Sequence, residues 1–339
     1  MLGASKMTVR EIAKIAKVSP TTISLVLNNQ QGVGDEKRQE ILSLLKELHF
    51  PISERKTRSK PQKKNFLFIK FFKSGYLVEE NAGFISRIMD SVQQECSKLN
   101  CTLRMQVFST NFSASIKSTD FSSICGVFVI GTELSPEDYP ALSQIPVPYI
   151  VIDNSMPNFP CHSITMQNEE MAYSAVKYLA QANPSSFGYL HSKLNAQNFQ
   201  ERFNGVLSAT KDFSLSLTKE HIFLLDPTLQ DSYRNMKEYL ANHADIPTSL
   251  FADNDIIAIG AIKALQEFGY HIPKDITIIG FDDVYLSATA TPPLTTIHVQ
   301  RTLIGRLAVM QLNDAITQSP PSHVKLKVGG DLVIRESTL

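Results

Sequence analysis

The sequence lacks the features that mark a membrane protein, a secreted protein or a metalloprotein. Although 43% of its 339 residues are hydrophobic, none of its apolar runs approaches the roughly 20 residues that a membrane-spanning helix needs. The amino terminus has no apolar segment typical of a signal peptide, and the four cysteines show no metal-ligand spacing. We therefore expect a soluble cytoplasmic protein with reduced thiols, no membrane partner, no metal and no cofactor.

Motifs of common enzymes are also missing. The sequence contains no Gly-x-Ser-x-Gly elbow, phosphate-binding loop, His-Glu-x-x-His motif or Cys-x-x-Cys pair. The eight histidines are scattered, and the adjacent acids Asp282 and Asp283 have no obvious proton-transfer partner in the sequence. We therefore do not expect an enzyme.

The net charge of zero conceals two parts of opposite sign. Residues 1–64 hold 13 Lys and Arg against 6 Asp and Glu, whereas residues 65–339 hold 20 against 27. A basic segment attached to an acidic body suits the binding of a polyanion by the basic segment alone.

The beginning of the chain has the pattern of three short helices. A capping box of Thr8 and Glu11 precedes the first helix, and Ser19 caps the second, whose first turn contains Pro20. Apolar residues recur at helical spacing: Ile12, Ile15 and Ala16 in the first helix, Ile23, Val26 and Leu27 in the second, and Ile41, Leu44, Leu45 and Leu48 in a third that starts at Gly34 or Asp35. The pattern predicts a helix-turn-helix unit, although a generic helical subdomain would show it too.

The second predicted helix carries short polar side chains suited to phosphate and base-edge contacts. The segment resembles the headpiece of the lactose-repressor (LacI/GalR) family of bacterial transcription regulators. The matching residues are Thr8, Glu11, Ile12, Ala13, Ala16, Val18, Ser19, Thr22, Ile23, Ser24, Val26, Leu27 and Asn28. The resemblance implies that the residues facing bases are Pro20, Thr21 and Leu25, and that the other DNA contacts, mainly to phosphates, are Thr8, Ser19, Thr22, Ser24 and Asn28. Leu25 replaces an arginine of many members, and leucine contacts a thymine methyl group but cannot donate to guanine.

Residues 51–64 form a basic linker, which suits either a flexible tether or an arm that adds phosphate contacts. In the family that the headpiece resembles, this region forms a hinge helix whose leucine enters the minor groove. No leucine lies between Phe50 and Phe66 here. The leucine wedge is therefore not carried over to this chain.

After the linker, short apolar runs alternate with helical patterns. The predicted strands are Phe66–Phe71, Leu103–Val107, Gly126–Ile130, Tyr149–Ile152, Phe187–Leu190, Ile222–Leu225, Ser249–Ala252 and Thr277–Phe281. The predicted helices are Gly83–Lys98, Glu169–Ala182, Phe199–Lys211, Leu229–Asn242, Asp255–Phe268 and Arg301–Ile316. This alternation predicts parallel sheets with helices on both faces, and its length suits two lobes with a ligand cleft at the carboxyl ends of the strands.

Several stretches near the carboxyl terminus resemble the effector domain of the same family, which has a periplasmic-binding-protein-like fold. They are Phe251–Ala261, Pro273–Asp283, Thr291–Ile297 and Arg335–Thr338. The resemblance covers essentially the whole length. We predict an α plus α/β protein: a three-helix headpiece at 7–50, the linker at 51–64, and a two-lobed effector-binding and dimerisation domain at 65–339.

Groups able to hydrogen-bond hydroxyls follow three predicted strands or begin a helix. They coincide with effector-binding positions of the family and are Asp153, Arg202, Asn254 and Asp282. Carboxylates accept hydrogen bonds from sugar hydroxyls, and arginine donates to oxygens; Phe84 or Phe281 would cover the apolar face of a sugar. The alternatives are that Asn254 or Asp255 caps the next helix, that Asp282 is a turn residue, and that Asp153 pairs with Arg202.

The sequence thus predicts a repressor of carbohydrate-utilisation genes that binds operator DNA as a homodimer. Its small-molecule effector is expected to be a sugar, and the dimer contact is expected at the helix Gly83–Lys98 together with surfaces of the second lobe. Two alternatives stay open: a corepressor-dependent regulator with a purine or phosphosugar ligand, and a cytoplasmic solute-binding protein, which the basic head disfavours.

Overall fold

The structure is a computed structural model that divides into two compact units, unit 1 at residues 1–62 and unit 2 at residues 63–339. The residues that it describes are 7–27, 32–48, 50, 64–74, 83–109, 111–182, 184, 186–318 and 322–339. The predicted DNA contact Asn28 and all of the predicted linker except Lys64 lie outside the described residues. In the described part of the chain, no helix has both the length and the apolar character needed to cross a bilayer.

The described part of unit 1 folds into three helices: α1 (Val9–Ile15), α2 (Pro20–Leu27) and α3 (Asp35–Glu47). They enclose a small core of Ile12, Ala13, Ile23, Val26, Ile41 and Leu45. Ile15 falls at helical spacing with Ile12 and Ala16 but does not join this core, because its side chain is 50% exposed. An α-helix turns by about 100° per residue, so a face centred between Ile12 and Ala13 directs Ile15 to solvent.

Both predicted helix caps of unit 1 are present. The Thr8 N–H donates to Glu11 Oε2 at 2.6 Å, and Glu11 N donates to Thr8 Oγ1 at 3.4 Å, which completes the capping box. Ser19 Oγ accepts from Thr22 N at 3.1 Å, directly before α2 begins at Pro20. These contacts satisfy amide groups that have no partner within the helix.

In the described part of unit 2, twelve strands form two sheets of six. The strands are β1 (Asn65–Phe72), β2 (Thr102–Ser109), β3 (Gly126–Ile130), β4 (Tyr149–Ile152), β5 (His162–Met166), β6 (Phe187–Ser192), β7 (Ile222–Leu225), β8 (Ser249–Ala252), β9 (Thr277–Asp282), β10 (Thr295–Val299), β11 (Lys325–Val328) and β12 (Gly330–Val333). The sheet of lobe 1 has the order β2-β1-β3-β4-β5-β11, and that of lobe 2 has the order β7-β6-β8-β9-β10-β12. Pairing is parallel except between β10 and β12. Both lobes therefore have a doubly wound strand order.

Helices cover both faces of each sheet. They are α4 (Phe84–Lys98), α5 (Phe112–Ser118), α6 (Tyr139–Leu142), α7 (Asn168–Gln181), α8 (Gln197–Asp212), α9 (Leu229–Ala241), α10 (Asp255–Glu267), α11 (Tyr285–Thr289) and α12 (Arg301–Thr317). Alternate residues of β1 pack into different apolar clusters: Phe66 and Phe68 into one, Leu67 and Ile69 into the other. Burial on both faces is the normal state of a parallel sheet.

The chain crosses between the lobes more than once. Helix α12 follows β10 of lobe 2 but packs against α4 and against β3, β4 and β5 of lobe 1. Strands β11 and β12 belong to different sheets although only Gly329 separates them. Each lobe is therefore assembled from separated segments of the chain.

Two of the helix crossings depend on glycine. A Cβ on Gly205 of α8 would lie 2.1 Å from the carbonyl oxygen of Glu169 in α7. A Cβ on Gly305 of α12 would lie 2.7 Å from the carbonyl oxygen of Ile88 in α4. At both positions, the absence of a side chain lets the helices approach closely.

Candidate DNA-binding helix and effector cleft

Among the predicted DNA contacts that the structure describes, Thr8 caps α1, Ser19 caps α2, and the others lie on α2. Among them, Thr8, Ser19, Pro20, Thr21 and Ser24 are exposed, and Thr22 and Leu25 are half-buried. The hydroxyl oxygens of Ser19 and Thr22 lie 2.8 Å apart at the beginning of the helix. Hydroxyls and amide groups at a helix amino terminus form a suitable site for a phosphate.

In unit 2, a small cavity lies where β4 of lobe 1 and β9 of lobe 2 end. Its lining consists of Phe84, Thr132, Asp153, Ala196, Asn198, Phe199, Arg202 and Asp282. The volume of this cavity is about 20 Å³. A typical ligand pocket is far larger, with several hundred Å³. A ligand of sugar size therefore requires the walls of the cavity to move apart.

Arg202 lies at the centre of the cavity wall and is almost fully buried. Its Nη2 donates to Asp282 Oδ1 at 3.3 Å, its Nε donates to Asn168 Oδ1 at 2.9 Å, and its Nη1 donates to the Asp253 carbonyl. The guanidinium carbon lies 3.6 Å from the centre of the Phe281 ring. These contacts fix the guanidinium and offset the cost of burying its charge.

Asp153 faces Arg202 from lobe 1 and does not form an ion pair with it among the described contacts. Its carboxylate accepts from Thr132 Oγ1 at 2.5 Å and from Asn198 Nδ2 at 3.0 Å. Burial raises the pKa of Asp153 to about 7, and the nearby charge of Asp282 adds to this increase. The carboxyl group of Asp153 therefore changes its protonation state near neutral pH.

Two asparagines connect the carboxylates of the two lobes. Asn198 of α8 donates to both Oδ1 and the carbonyl oxygen of Asp153, and Asn168 Nδ2 donates to Asn198 Oδ1 at 3.1 Å. Because Asn168 also accepts from Arg202, a continuous series of hydrogen bonds runs from Asp153 to Asp282. Movement of one lobe relative to the other must break or rearrange this series.

Asp253 supports Arg202 from the interior of lobe 2. The carboxylate of Asp253 accepts from Tyr189 Oη and from Ser192 N, and lies 2.7 Å from His191 Nδ1. Burial lowers the pKa of His191, but the hydrogen bond and the charge of Asp253 outweigh burial, so the pKa is raised overall. This network fixes the end of β8, where the Asp253 carbonyl contacts Arg202.

Asn254 does not line the cavity. Its Oδ1 accepts from Ile257 N at 2.9 Å, so Asn254 is the cap of α10, as the alternative interpretation of the sequence proposed. The prediction that Asp255 caps this helix is wrong. The Oδ2 atom of Asp255 instead accepts from Val284 N at 3.0 Å and from Ser287 Oγ. Asp255 therefore connects the start of α10 to the segment after β9.

A wider opening of about 380 Å³ adjoins the cavity at Ala196. Its lining is Lys73, Ser74, Glu133, Ser135, Glu137, Leu194, Asn195 and Ala196. Lys73 Nζ lies 2.8 Å from Glu137 and 3.0 Å from Asp138. Glu133 accepts from the amide groups of Lys73 and Ser74, at 2.7 Å in each case. The mouth of the cavity is therefore acidic, and its lysine is already paired.

Comparison with known proteins assigns both units. Residues 8–51 match the family described as bacterial regulatory proteins, lacI family, and residues 163–338 match the periplasmic binding protein-like domain. This chain belongs to the LacI family. It is a DNA-binding transcriptional repressor with a helix-turn-helix domain followed by a two-sheet α/β domain.

Relatives of this LacI-family chain match along almost its whole length. Two are repressors named PurR, from Mannheimia succiniciproducens (29% identical over 336 residues) and Haemophilus influenzae strain PittEE (29% over 339 residues), each alignment covering 97% of this chain and 98% of the relative. The fold is shared with the Lac repressor dimer bound to operator and the anti-inducer ONPF, with a TM-score of 0.73, 20% identity, and coverage of 99% of this chain and 100% of that one. It is also shared with the transcriptional regulator CelR in its cellobiose complex, with a TM-score of 0.72, 19% identity, and coverage of 98% and 99%.

The structure brings together four of the five effector residues predicted for this LacI-family protein: Phe84, Asp153, Arg202 and Asp282. The lining residues that were not predicted are Thr132, Ala196, Asn198 and Phe199, and the supporting residues that were not predicted are Asn168 and Asp253. Asn198 was detectable, because it lies four residues before Arg202 and thus on the same helix face. In the ranges described, no three His, Cys, Asp or Glu side chains are arranged to hold a metal ion.

Proposed function

We propose that this LacI-family repressor controls carbohydrate-utilisation genes and that a neutral, polyhydroxylated ligand between the lobes of unit 2 switches its operator affinity. The observation that carries this proposal is the pair of buried carboxylates, Asp153 and Asp282, on opposite lobes with Arg202 beside them. A ligand that hydrogen-bonds both carboxylates would favour one arrangement of the lobes over another, which is the requirement for a shift in population.

The chemistry of the lining supports a sugar. The two carboxylates accept hydrogen bonds from hydroxyls, the arginine donates to oxygens, and the rings of Phe84 and Phe199 offer apolar surface to a sugar ring. The described lining of the cavity and its mouth carries four carboxylates, Asp153, Asp282, Glu133 and Glu137, against Arg202 and Lys73. This balance disfavours an anionic phosphosugar.

The test is operator binding to the gene's own upstream DNA at fixed salt, with and without matched ligands. Cellobiose is a first probe, because one structure of the same fold is a cellobiose complex; glucose and glucose 6-phosphate form a matched pair that differs in charge. We expect a neutral sugar to lower operator affinity in the native protein but not in Asp282→Asn. Release by the phosphorylated sugar alone would contradict the proposal.

A second candidate is a corepressor system with a purine base as ligand. The relatives named PurR and the two phenylalanine rings of the lining favour it, because flat heterocycles stack well on aromatic rings. Hypoxanthine and guanine belong in the same assay. A purine ligand would tighten operator binding instead of relieving it.

The DNA contacts of the headpiece are proposed as predicted from the sequence: Pro20, Thr21 and Leu25 to bases, and Thr8, Ser19, Thr22, Ser24 and Asn28 to the other DNA groups. The domain limits 7–50, 51–64 and 65–339 are also proposed, and the division of the chain at residue 62 falls inside the linker.

A homodimer is proposed as the DNA-binding form. Strand β2 is an edge strand on which Met105 and Val107 are 55% and 52% exposed, and it packs beside α4, the helix predicted to pair. Exposed apolar side chains on an edge strand favour association. Sedimentation of the native protein and of Val107→Lys tests this: a dimer that the lysine variant does not weaken excludes β2 from the contact.

A further inference from the structure

Two consecutive aspartates adopt unusual backbone conformations at the end of β9. Asp282 has a φ of +110° and Asp283 a φ of +51°, both in the region that residues with a side chain rarely occupy. Backbone conformations of this kind persist only when surrounding contacts enforce them, and they concentrate at functional sites. Asp282 is such a case, because its carboxylate lines the effector cavity and contacts Arg202.

The contacts that enforce this turn converge on Asp283. Arg335 Nη2 donates to Asp283 Oδ1 at 2.6 Å, and His298 Nδ1 lies 2.8 Å from Asp283 Oδ2. Arg335 is itself held, because its Nη1 donates to the Leu294 carbonyl at 2.8 Å. Burial raises the pKa of Asp283, but the hydrogen bonds and charges of Arg335 and His298 outweigh burial and lower it overall, so the group stays ionised.

A third contact reaches the opposite lobe. Arg301, the first residue of α12, donates from Nη2 to the Asp283 carbonyl at 2.7 Å. The guanidinium carbon of Arg301 also lies 5.6 Å from the centre of the Phe84 ring, which lines the cavity from lobe 1. The group that holds Asp283 therefore contacts both walls of the effector cavity without lining it.

We propose that Asp283, held by Arg335, His298 and Arg301, is a positioning residue that sets the carboxylate of Asp282 against Arg202 and so tunes effector binding. The role in effector binding rests on the proposed function, whereas the positioning of Asp282 stands on geometry alone. A purely structural role would be different: Asp283 would then stabilise the fold and leave the placement of Asp282 unchanged.

The deciding experiment is the crystal structure of the full-length Asp283→Asn variant without ligand. Asparagine keeps the size of the side chain but removes the negative charge and replaces one carboxylate oxygen by an NH2 group, so either the position that faces Arg335 or the position that faces His298 loses its acceptor. We expect residue 282 to leave its positive φ and its carboxylate to move out of hydrogen-bond distance of Arg202. The matched control is Asp231→Asn, which removes another ion pair of an aspartate with an arginine, Arg234, at 3.0 Å and should leave Asp282 in place.

An unchanged Asp282 in Asp283→Asn would overturn the proposal. If that variant does not fold, His298→Gln, which disturbs only one of the two side-chain contacts, is judged by the same two criteria. In solution, calorimetry with cellobiose should show an affinity reduced by roughly tenfold in Asp283→Asn, the lower end of what outer-shell partners contribute at metal sites. Failure of cellobiose to bind the native protein would count against the sugar proposal, whereas the position of Asp282 in the crystal still decides the role of Asp283.

Discussion

The ion pair of Arg202 with Asp282 gives the sharpest test of how the cavity is held together. The perturbation is a double-mutant cycle of Arg202→Met and Asp282→Asn. The two side chains are each 3% exposed and 3.3 Å apart. Arg202→Met leaves the Asp282 carboxylate buried beside Asp153, without its cation.

The expected magnitudes follow from these contacts. Removing one partner of a buried ion pair costs about 3–5 kcal/mol, so the free energy of unfolding of Arg202→Met should fall by that amount. Asp282→Asn should cost less, about 1.5–3 kcal/mol, because Arg202 retains Asn168 and the Asp253 carbonyl as acceptors. The double variant should be more stable than the sum of the two losses implies, with a coupling of about 0.5–3 kcal/mol.

The assay is urea unfolding followed by far-ultraviolet circular dichroism, since the chain has no tryptophan. Operator affinity without ligand, measured in parallel, should stay unchanged in Asp282→Asn, because the headpiece sequence is intact. Strict additivity of the two losses, or a loss below about 1 kcal/mol in Arg202→Met, would refute the view that this ion pair holds the cavity wall.

Three further predictions concern packing, pH and DNA. Gly305→Ala should lower the free energy of unfolding by about 1–3 kcal/mol through overpacking against α4, and a thermal melt that matches the native protein would contradict the crossing described here. The raised pKa values of Asp153 and Asp255, both about 7, mean that the folded state binds these protons more tightly than the unfolded state. The stability that they contribute is therefore full below about pH 4 and is lost as pH rises through 7; urea titrations between pH 5 and 8 should show a falling contribution, and Asp255→Asn should flatten it. Thr22→Ala should weaken binding to all DNA sequences alike, by about 1 kcal/mol, and a loss confined to one base position would make Thr22 a base-reading residue instead.

The strand prediction succeeded where burial and composition agree. All eight predicted strands are present. Most of them consist of apolar, β-branched and aromatic residues that are buried in the sheets, whereas the edge strand β2 keeps Met105 and Val107 exposed. Strand β5, strand β10 and the edge strands β11 and β12 were missed. Strand β10 contains polar threonines, so its sequence does not have the apolar pattern of a buried strand. Its threonines are nevertheless buried, because they form hydrogen bonds such as that of Thr296 to Asp255. Strand β11 exposes two lysines at the edge of its sheet.

The two carboxylates of the cavity could be predicted from the sequence, but the hydrogen bonds that connect them could not. Asp153 and Asp282 follow or end strands, and the carboxyl ends of parallel strands gather at one edge, so their places in the chain indicated that they lie at the same edge. Their expected role in effector binding came from the resemblance to the family. Asn254 also follows a strand, but its side-chain oxygen accepts a hydrogen bond from the backbone N–H of Ile257. The contacts of Asn198 with Asp153 and of Asn168 with Arg202 join residues over 30 positions apart, and a single sequence carries no signal for such distant partners.

The distribution of each lobe over separated segments has a consequence for synthesis of the protein. The sheet of lobe 1 is completed by β11 and that of lobe 2 by β12, both formed after residue 324. A nascent chain that has not reached these strands presents β5 and β10 as open edges, which favour pairing with other chains. While the carboxyl-terminal residues are still being translated, the headpiece has already left the ribosome but neither sheet is complete. A truncated product would therefore retain the DNA-binding helices attached to an aggregation-prone body.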